Sequence, residues 1–253
     1  MIERPHVTLD AQSTEWDEPP WPSAFELAFL LPERSWTLVG GLMVKLHAEL
    51  ASLPAPRSTL DVDTTLHLET KSITFGQAAE TLKNAGYRLN EDTQYAYRFD
   101  RGAERIDVMC SDRHAISKHP RYRGRPLFGV PGGTRALMRT INVDADTPRG
   151  TAQLIVPDVR GALVLKGAAY LEDSRDRARH AEDAVLLLAC LTDPHGAIAD
   201  LSNRSRKRIR TLVEVLTEHS APWTNHDGIV QSLAKETLEE LNGIMHIESK
   251  RDS

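Results

Sequence analysis

The sequence has few of the features that mark several large classes of protein. Its 253 residues include 2 cysteines, which lie far apart and have no His or Cys partner at metal-ligand spacing. This pattern excludes a disulfide framework and a zinc module. The longest apolar run covers residues 184–191, far short of the roughly 18 residues that a membrane span requires. The first 20 residues lack the basic-then-apolar order of a secretory signal. We therefore expect a cytoplasmic protein with no membrane partner.

The sequence also lacks an excess of basic charge. It has 31 Lys and Arg against 36 Asp and Glu, a formal net charge of −5, so the chain as a whole does not coat nucleic acid. The hydrophobic fraction of 40% and the charged fraction of 26% are close to the averages for globular proteins. Disordered, collagen-like and coiled-coil architectures are therefore excluded for the whole chain.

The order of the predicted elements indicates a mixed unit followed by a helical one. Residues 1–24 are acidic and proline-rich, and we expect a loosely ordered lead-in there. Residues 25–150 alternate between strand and helix patterns, and residues 151–253 become helical after Pro157. The fold class is therefore α+β, with a mixed sheet and a helical C-terminal domain. The predicted strands are 35–39, 59–68, 95–99, 105–109, 139–143 and 153–156, and the predicted helices cover 76–85, 158–172, 177–191, 204–219 and 227–242, besides one that follows Gly41.

Two acids on one predicted strand indicate a metal site. Successive side chains of a strand face opposite sides of the sheet, so Asp61 and Asp63 share a face while Val62 lies on the other. Carboxylates this close repel each other unless a cation lies between them, and Mg²⁺ is the usual oxygen-seeking ion. The alternative is a solvated strand end, because a motif as short as Asp-x-Asp also occurs by chance.

A third acid and a pair of glycines strengthen the metal interpretation. The strand 105–109 carries Asp107 on the face opposite its apolar neighbours, where it can join the other two acids. Upstream, Gly40 and Gly41 lie between a strand and the N-terminus of a helix. Free N–H groups and the helix dipole favour an anion such as phosphate at that place.

These features together resemble the nucleotidyltransferases of the DNA polymerase β-like superfamily, whose pattern is a strand, Gly-Gly or Gly-Ser, a helix, Asp-x-Asp and a later single Asp. The segments LVGGLMVKLHAEL, RSTLDVDTTLH and RIDVM are most similar to the AbiEii-type branch, which includes toxins of bacterial toxin-antitoxin systems. The Arg-x-Thr-x-Asp-x-Asp segment of that branch is matched by Arg57, Thr59, Asp61 and Asp63. The sequence departs from the family at Gly41, where many members have Ser or Thr.

The resemblance implies a polymerase β-like nucleotidyltransferase core and an active site that uses Mg²⁺ and a nucleoside triphosphate. Asp61, Asp63 and Asp107 would bind the metal, and Asp107 would also accept the proton of the attacking hydroxyl. Lys166 would be a catalytic residue that offsets charge on the leaving pyrophosphate. The implied nucleotide-binding residues are Gly40, Gly41, Arg57, Thr59, Lys166 and Asp183.

Two charged residues interrupt apolar stripes on the predicted helices. Lys166 shares a stripe with Leu163 and Tyr170, and Asp183 leads the stripe of the next helix. Charged groups almost never bury unpaired. Lys166 therefore either brings its ammonium group to solvent along an extended stem or meets an anion. That anion is the triphosphate or a structural acid such as Asp183.

Two basic clusters are candidate contacts for an RNA backbone. Residues 113–125 contain five Lys or Arg and no acid, and residues 204–210 contain another five. The alternative is a surface loop for the first cluster and a solvated helix face for the second. The RNA-binding residues predicted here are Lys118, Arg121, Arg123, Arg125, Arg204, Arg206, Lys207 and Arg208.

The sequence thus favours a Mg²⁺-dependent nucleotidyltransferase. An RNA acceptor such as a tRNA end, a toxin role and a cognate antitoxin partner are implied only by the resemblance. Two alternatives stay open: transfer to a small molecule, as in antibiotic-modifying relatives, and a non-catalytic nucleotide-sensing or interaction module. The three intact acids argue against the module, and the basic clusters favour RNA over a small acceptor.

Overall fold

The computed structural model of the protein describes residues 4–56 and 58–251. The chain forms two compact units. The first comprises the described residues within Met1–Met43 and Thr59–Asp158, and the second those within Val44–Ser58 and Val159–Ser253.

The first unit contains all the named strands and five short or medium helices. Its strands are β1 (His6–Asp10), β2 (Trp36–Val39), β3 (Asp61–Leu66), β4 (Arg88–Leu89), β5 (Arg98–Arg101), β6 (Glu104–Ser111), β7 (Arg121–Tyr122), β8 (Arg125–Pro126), β9 (Gly129–Val130), β10 (Thr140–Thr147) and β11 (Gly150–Pro157). Its helices are α1 (Trp21–Leu30), the start of α2 (Gly40–Leu50), α3 (Phe75–Asn84), α4 (Asp112–Lys118) and α5 (Gly133–Ala136).

Six strands form the mixed sheet that carries the predicted acids. The order is β2-β3-β6-β5-β4, and β9 pairs with the end of β6. β3 and β6 are parallel, whereas β2 and β5 run antiparallel to their neighbours. On β3 the side chains of Val62, Thr64 and Leu66 are fully buried. The period-2 alternation therefore places Asp61 and Asp63 on the opposite face of the sheet.

The N-terminal segment differs from the loosely ordered lead-in expected at residues 1–24. β1 pairs in parallel with β10, with His6 opposite Asn142. Trp16 and Trp21 are buried, and their ring centroids are 4.7 Å apart. The expectation was wrong because the partner strand of β1 lies more than 130 residues away in sequence. No local sequence pattern predicts such a pairing.

The second unit is helical, as the sequence predicted for the C-terminal half. Its helices are the remainder of α2, α6 (Val159–Glu172), α7 (Arg177–Ala189), α8 (Pro194–Ile198), α9 (Asn203–Glu218) and α10 (Gly228–Arg251). α6 and α9 cross closely at Gly167, where an added Cβ would lie 2.4 Å from the carbonyl oxygen of Arg208. Among the described residues, no helix combines the length and the apolarity needed to cross a membrane.

The change of unit falls later than the boundary expected near residue 150. Residue 150 lies inside the hairpin of β10 and β11, where Thr147 is the register partner of Gly150. Since β11 completes the three-stranded sheet β1-β10-β11, the first unit continues to Asp158. The switch from strand to helix at Pro157 was the better sequence signal for this boundary.

Candidate active site

The structure brings Asp61, Asp63 and Asp107 together on one face of the six-stranded sheet. Asp63 on β3 is the register partner of Asp107 on the parallel strand β6, so these two side chains point to the same side. One carboxylate oxygen from each of the three acids lies within 4.8 Å of the others. We call these three residues the acid cluster.

The members of the acid cluster differ in exposure. Asp61 and Asp63 are half-buried, whereas Asp107 is 4% exposed. Burial raises the pKa of Asp107, and hydrogen bonds from Arg98 offset this effect only in part. Asp107 is thus a carboxylate whose environment favours the uptake of a proton.

Arg98 holds Asp107 with a two-pronged hydrogen bond that sequence reasoning missed. Its Nε donates to Oδ1 of Asp107 at 2.9 Å and its Nη2 donates to Oδ2 at 2.7 Å. These hydrogen bonds raise the pKa of the Arg98 guanidinium. The register of the hairpin predicts this contact. A two-residue turn after Arg101 pairs Arg101 with Glu104, and three residues further from the turn on each strand Arg98 pairs with Asp107.

Gly40 lies directly against Asp63. The first residue of α2 has a φ of +71°, and a Cβ added there would be 1.8 Å from Oδ2 of Asp63. No other residue type fits this position, because a positive φ and a close approach of a carboxylate coincide there. Gly41 follows inside the helix and is buried. Gly40 therefore makes room for the carboxylate of Asp63 at the start of α2.

Thr59 orients the first acid of the cluster. Its Oγ1 donates to Oδ1 of Asp61 at 3.1 Å, and the residue is buried. The structure thus gives Thr59 a contact to a carboxylate, and its assignment to nucleotide binding stays a prediction. Arg57 lies outside the described residues.

Lys166 and Asp183 form a buried ion pair inside the helical unit. Nζ of Lys166 donates to Oδ2 of Asp183 at 2.6 Å, and the two side chains are 6% and 7% exposed. This is the pairing with a structural acid that the sequence left open beside the triphosphate. A phosphate would have to replace or share this carboxylate, so the nucleotide-binding role of both residues stays a prediction.

The two basic clusters divide into exposed and internally bound residues. Lys118, Arg121, Arg123, Arg204 and Lys207 are exposed. Arg208, in contrast, is 5% exposed, because it lies where α9 crosses α6 closely, so its assignment to RNA binding stays a prediction without an exposed surface. Arg125 donates to the backbone oxygens of Asn90 and Thr93, and Arg206 is half-buried.

The acid cluster fits a hard divalent cation. Its three donors are carboxylate oxygens, the ligands that Mg²⁺ prefers in proteins, and they lie close enough to share one ion. The guanidinium of Arg98 already neutralises one of the three charges. Among the described residues, neither Cys110 nor Cys190 belongs to this group of candidate ligands, and burial raises the pKa of both thiols to about 12.

No family model and no curated protein matches this chain. Among solved structures, an antigenic nucleotidyltransferase-like protein from Paracoccidioides brasiliensis matches with a TM-score of 0.51 and 14% identity, over 81% of this chain and 92% of that one. The antibiotic-resistance factor ANT(2'')-Ia matches with a TM-score of 0.32 and 13% identity, over 90% of this chain and 95% of that one. The second score is too low to carry an argument.

The first match defines the class of fold. At 14% identity it bears on architecture alone, and it confirms the prediction of a mixed α and β, nucleotidyltransferase-like fold. Membership of the AbiEii-type branch stays a prediction.

Proposed function

We propose that this protein is a Mg²⁺-dependent nucleotidyltransferase that moves a nucleoside monophosphate from a nucleoside triphosphate to an acceptor hydroxyl. The observation that carries the proposal is the acid cluster, in which three carboxylates from two adjacent parallel strands converge within 4.8 Å. A nucleotidyltransferase-like fold is the expected setting for such a cluster.

The acid cluster has a defined task in this reaction. Asp61, Asp63 and Asp107 would hold Mg²⁺, which when bound would neutralise triphosphate charge and polarise the α-phosphate. Asp107 would accept the proton of the acceptor hydroxyl, whose oxygen forms a bond to the α-phosphorus while the bond to pyrophosphate breaks. The raised pKa of Asp107 suits a proton acceptor, because burial favours its protonated form.

The proposed contacts to the triphosphate involve residues outside the acid cluster. The N-terminus of α2, at Gly40 and Gly41, would bind a phosphate through backbone N–H groups. Lys166 would stabilise the leaving pyrophosphate if the triphosphate took the place of Asp183 against its ammonium group. Arg57 and Thr59 complete this set of proposed nucleotide-binding residues.

We propose RNA, such as a tRNA end, as the acceptor, and a toxin role with a cognate antitoxin. The exposed Lys118, Arg121 and Arg123 form a basic surface around the β7–β8 hairpin, and such a surface favours a phosphate backbone. The toxin role rests on the similarity of the Arg-x-Thr-x-Asp-x-Asp segment to the AbiEii-type branch.

A small-molecule acceptor is the second candidate. Three of the eight basic residues assigned to RNA, Arg125, Arg206 and Arg208, are wholly or partly buried, which leaves a smaller basic surface than the sequence suggested. A small acceptor such as an antibiotic needs no such surface.

An acceptor survey separates the two candidates. The purified protein is incubated with Mg²⁺ and each α-labelled nucleoside triphosphate, together with total RNA, with purified tRNA or with aminoglycosides. Label in RNA supports the proposal, and label only in a small molecule supports the second candidate. The variant in which Lys118, Arg121 and Arg123 are all Ala is the control: it should lose RNA labelling and keep binding of the nucleoside triphosphate, because these residues lie outside the acid cluster.

A further inference from the structure

Both carboxylate oxygens of Asp107 are bound to a cation of the protein itself. The Nε and Nη2 of Arg98 donate to Oδ1 and Oδ2 at 2.9 and 2.7 Å. This bidentate geometry is the strongest that an arginine makes with a carboxylate. The proposed metal site therefore contains one ligand that is already neutralised.

The pairing of strands β5 and β6 fixes the position of Arg98 relative to Asp107. Arg98 on β5 is the register partner of Asp107 on β6, and the guanidinium carbon lies 5.2 Å from the centroid of the Tyr97 ring. Its side chain is 25% exposed, and that of Asp107 is 6% exposed. The guanidinium of Arg98 lies between the Asp107 carboxylate and the Tyr97 ring. A planar guanidinium loses little conformational freedom for each hydrogen bond that it forms, which favours this contact.

A divalent ion at the acid cluster and the Arg98 guanidinium would both bind the carboxylate of Asp107. One carboxylate oxygen of Asp107 lies within 4.8 Å of an oxygen of Asp61 and of an oxygen of Asp63, so an ion bound between Asp61 and Asp63 would lie beside Asp107. Two cations that share one carboxylate repel each other, and this repulsion is strongest on the buried side of the cluster, where Asp107 is 4% exposed. We therefore expect binding of the ion at Asp107 to weaken the hydrogen bonds from Arg98.

We propose that Arg98 is an internal cation that competes with the divalent ion for Asp107 and thereby sets the metal affinity of the acid cluster. In the metal-free protein, Arg98 neutralises the buried carboxylate and holds it in place. When the ion binds, it replaces Arg98 as the counter-charge of Asp107. Arg98 is thus a positioning residue, and this inference rests on the proposed function in that it requires a metal-binding cluster.

Mn²⁺ binding to the full-length protein tests the competition. Arg98→Gln removes the competing charge, so the dissociation constant of Mn²⁺, measured by calorimetry, should fall by about tenfold, the effect of one charge contact. Arg105→Gln is the matched control, because Arg105 is the register partner of Asp61 but pairs with Asp100, which is outside the cluster. This control should change the dissociation constant by no more than about twofold, since an exposed charge is screened.

Thermal unfolding gives a second readout that does not depend on activity. Without metal, Arg98→Gln should melt below the wild type, because Asp107 is left buried without its partner. Saturating Mn²⁺ should raise the melting temperature of Arg98→Gln by more than that of the wild type or of Arg105→Gln. If Arg98→Gln does not fold, Arg98→Lys takes its place and should tighten Mn²⁺ binding by about threefold, since a point charge replaces the fork.

The outcomes separate this inference from the proposed function. Equal effects of Arg98→Gln and Arg105→Gln would mean that only the overall charge matters, and weaker Mn²⁺ binding in Arg98→Gln would mean that Arg98 assists the ion. Either result overturns the competition. If Asp63→Asn binds Mn²⁺ as well as the wild type, or if neither the wild type nor Arg98→Gln binds Mn²⁺ at all, the acid cluster is not a metal site and the proposed function fails with it.

Discussion

At the scale of single residues, the acid cluster depends on a glycine as much as on its acids. A Cβ at Gly40 would lie 1.8 Å from Oδ2 of Asp63, so any side chain there would push this carboxylate away from Asp107, its register partner. The residue that the sequence marked as a phosphate contact is therefore also a condition for the geometry of the cluster.

Gly40→Ala should lower the free energy of unfolding by about 2 kcal/mol or more, because a strained φ and a steric clash add up. Gly102→Ala is the matched control: its φ is +61°, but nothing lies within 4 Å of the added Cβ, so its cost should be about 1 kcal/mol. Urea unfolding measures both values. Equal losses in the two variants would show that Asp63 moves aside freely and would contradict this account.

The residues of the cluster were predictable from the sequence to different degrees. Asp61 and Asp63 follow from the period of two in a strand, and Asp107 follows from the apolar residues on either side of it. Arg98 was missed, because an arginine on a strand has many possible partners until the register of its hairpin is fixed. Once the turn at Gly102 is placed, the partner of Arg98 follows by counting.

At the scale of elements, the helices α6 and α7 are joined by a buried ion pair. Lys166 and Asp183 contact each other at 2.6 Å with almost no exposure. Burying two charges is costly for the free energy of folding, and the loss of one partner leaves the other charge in a poor environment. The pair is therefore a structural link between two helices, whether or not it also serves the nucleotide.

Lys166→Met should destabilise the fold by about 3 kcal/mol, because Asp183 loses its ammonium partner. The double variant with Asp183→Asn should recover much of this loss, since both charges are then removed. Chemical unfolding of the three proteins measures the effect. A single variant as stable as the wild type would show that the pair contributes nothing to the fold, which is the result expected if the triphosphate is the principal partner of Lys166.

The elements with a strong local pattern were predicted well, and those that depend on distant partners were not. The sequence predicted α6, α7 and α9 to within about two residues at each end, because their apolar positions repeat at helical spacing. β1 escaped prediction because its hydrogen bonds go to β10, far along the chain. The short helix α8 was also missed, since five residues are too few to show a period.

At the scale of the whole molecule, the order of the elements along the chain predicted the fold better than any single motif did. Strand, glycine pair, helix, two acids and a later third acid occur in the order of the family pattern that the sequence resembles, and the comparison of structures confirms a nucleotidyltransferase-like fold. The unit boundary was placed too early because it fell between the two predicted strands 139–143 and 153–156, which pair as β10 and β11 in the first unit. The identity of the acceptor has no equivalent signature, since surface charge alone does not specify a partner.

The central claim is that the acid cluster catalyses nucleotidyl transfer, and Asp63→Asn tests it most directly. This change keeps the shape of the side chain and removes one carboxylate charge, so the melting temperature should stay within about 3 °C of the wild type. Incorporation of labelled nucleotide in the presence of Mg²⁺ should fall by about a hundredfold or more, because metal-bound charge stabilisation is worth several kcal/mol. A folded Asp63→Asn protein with wild-type incorporation would contradict the claim.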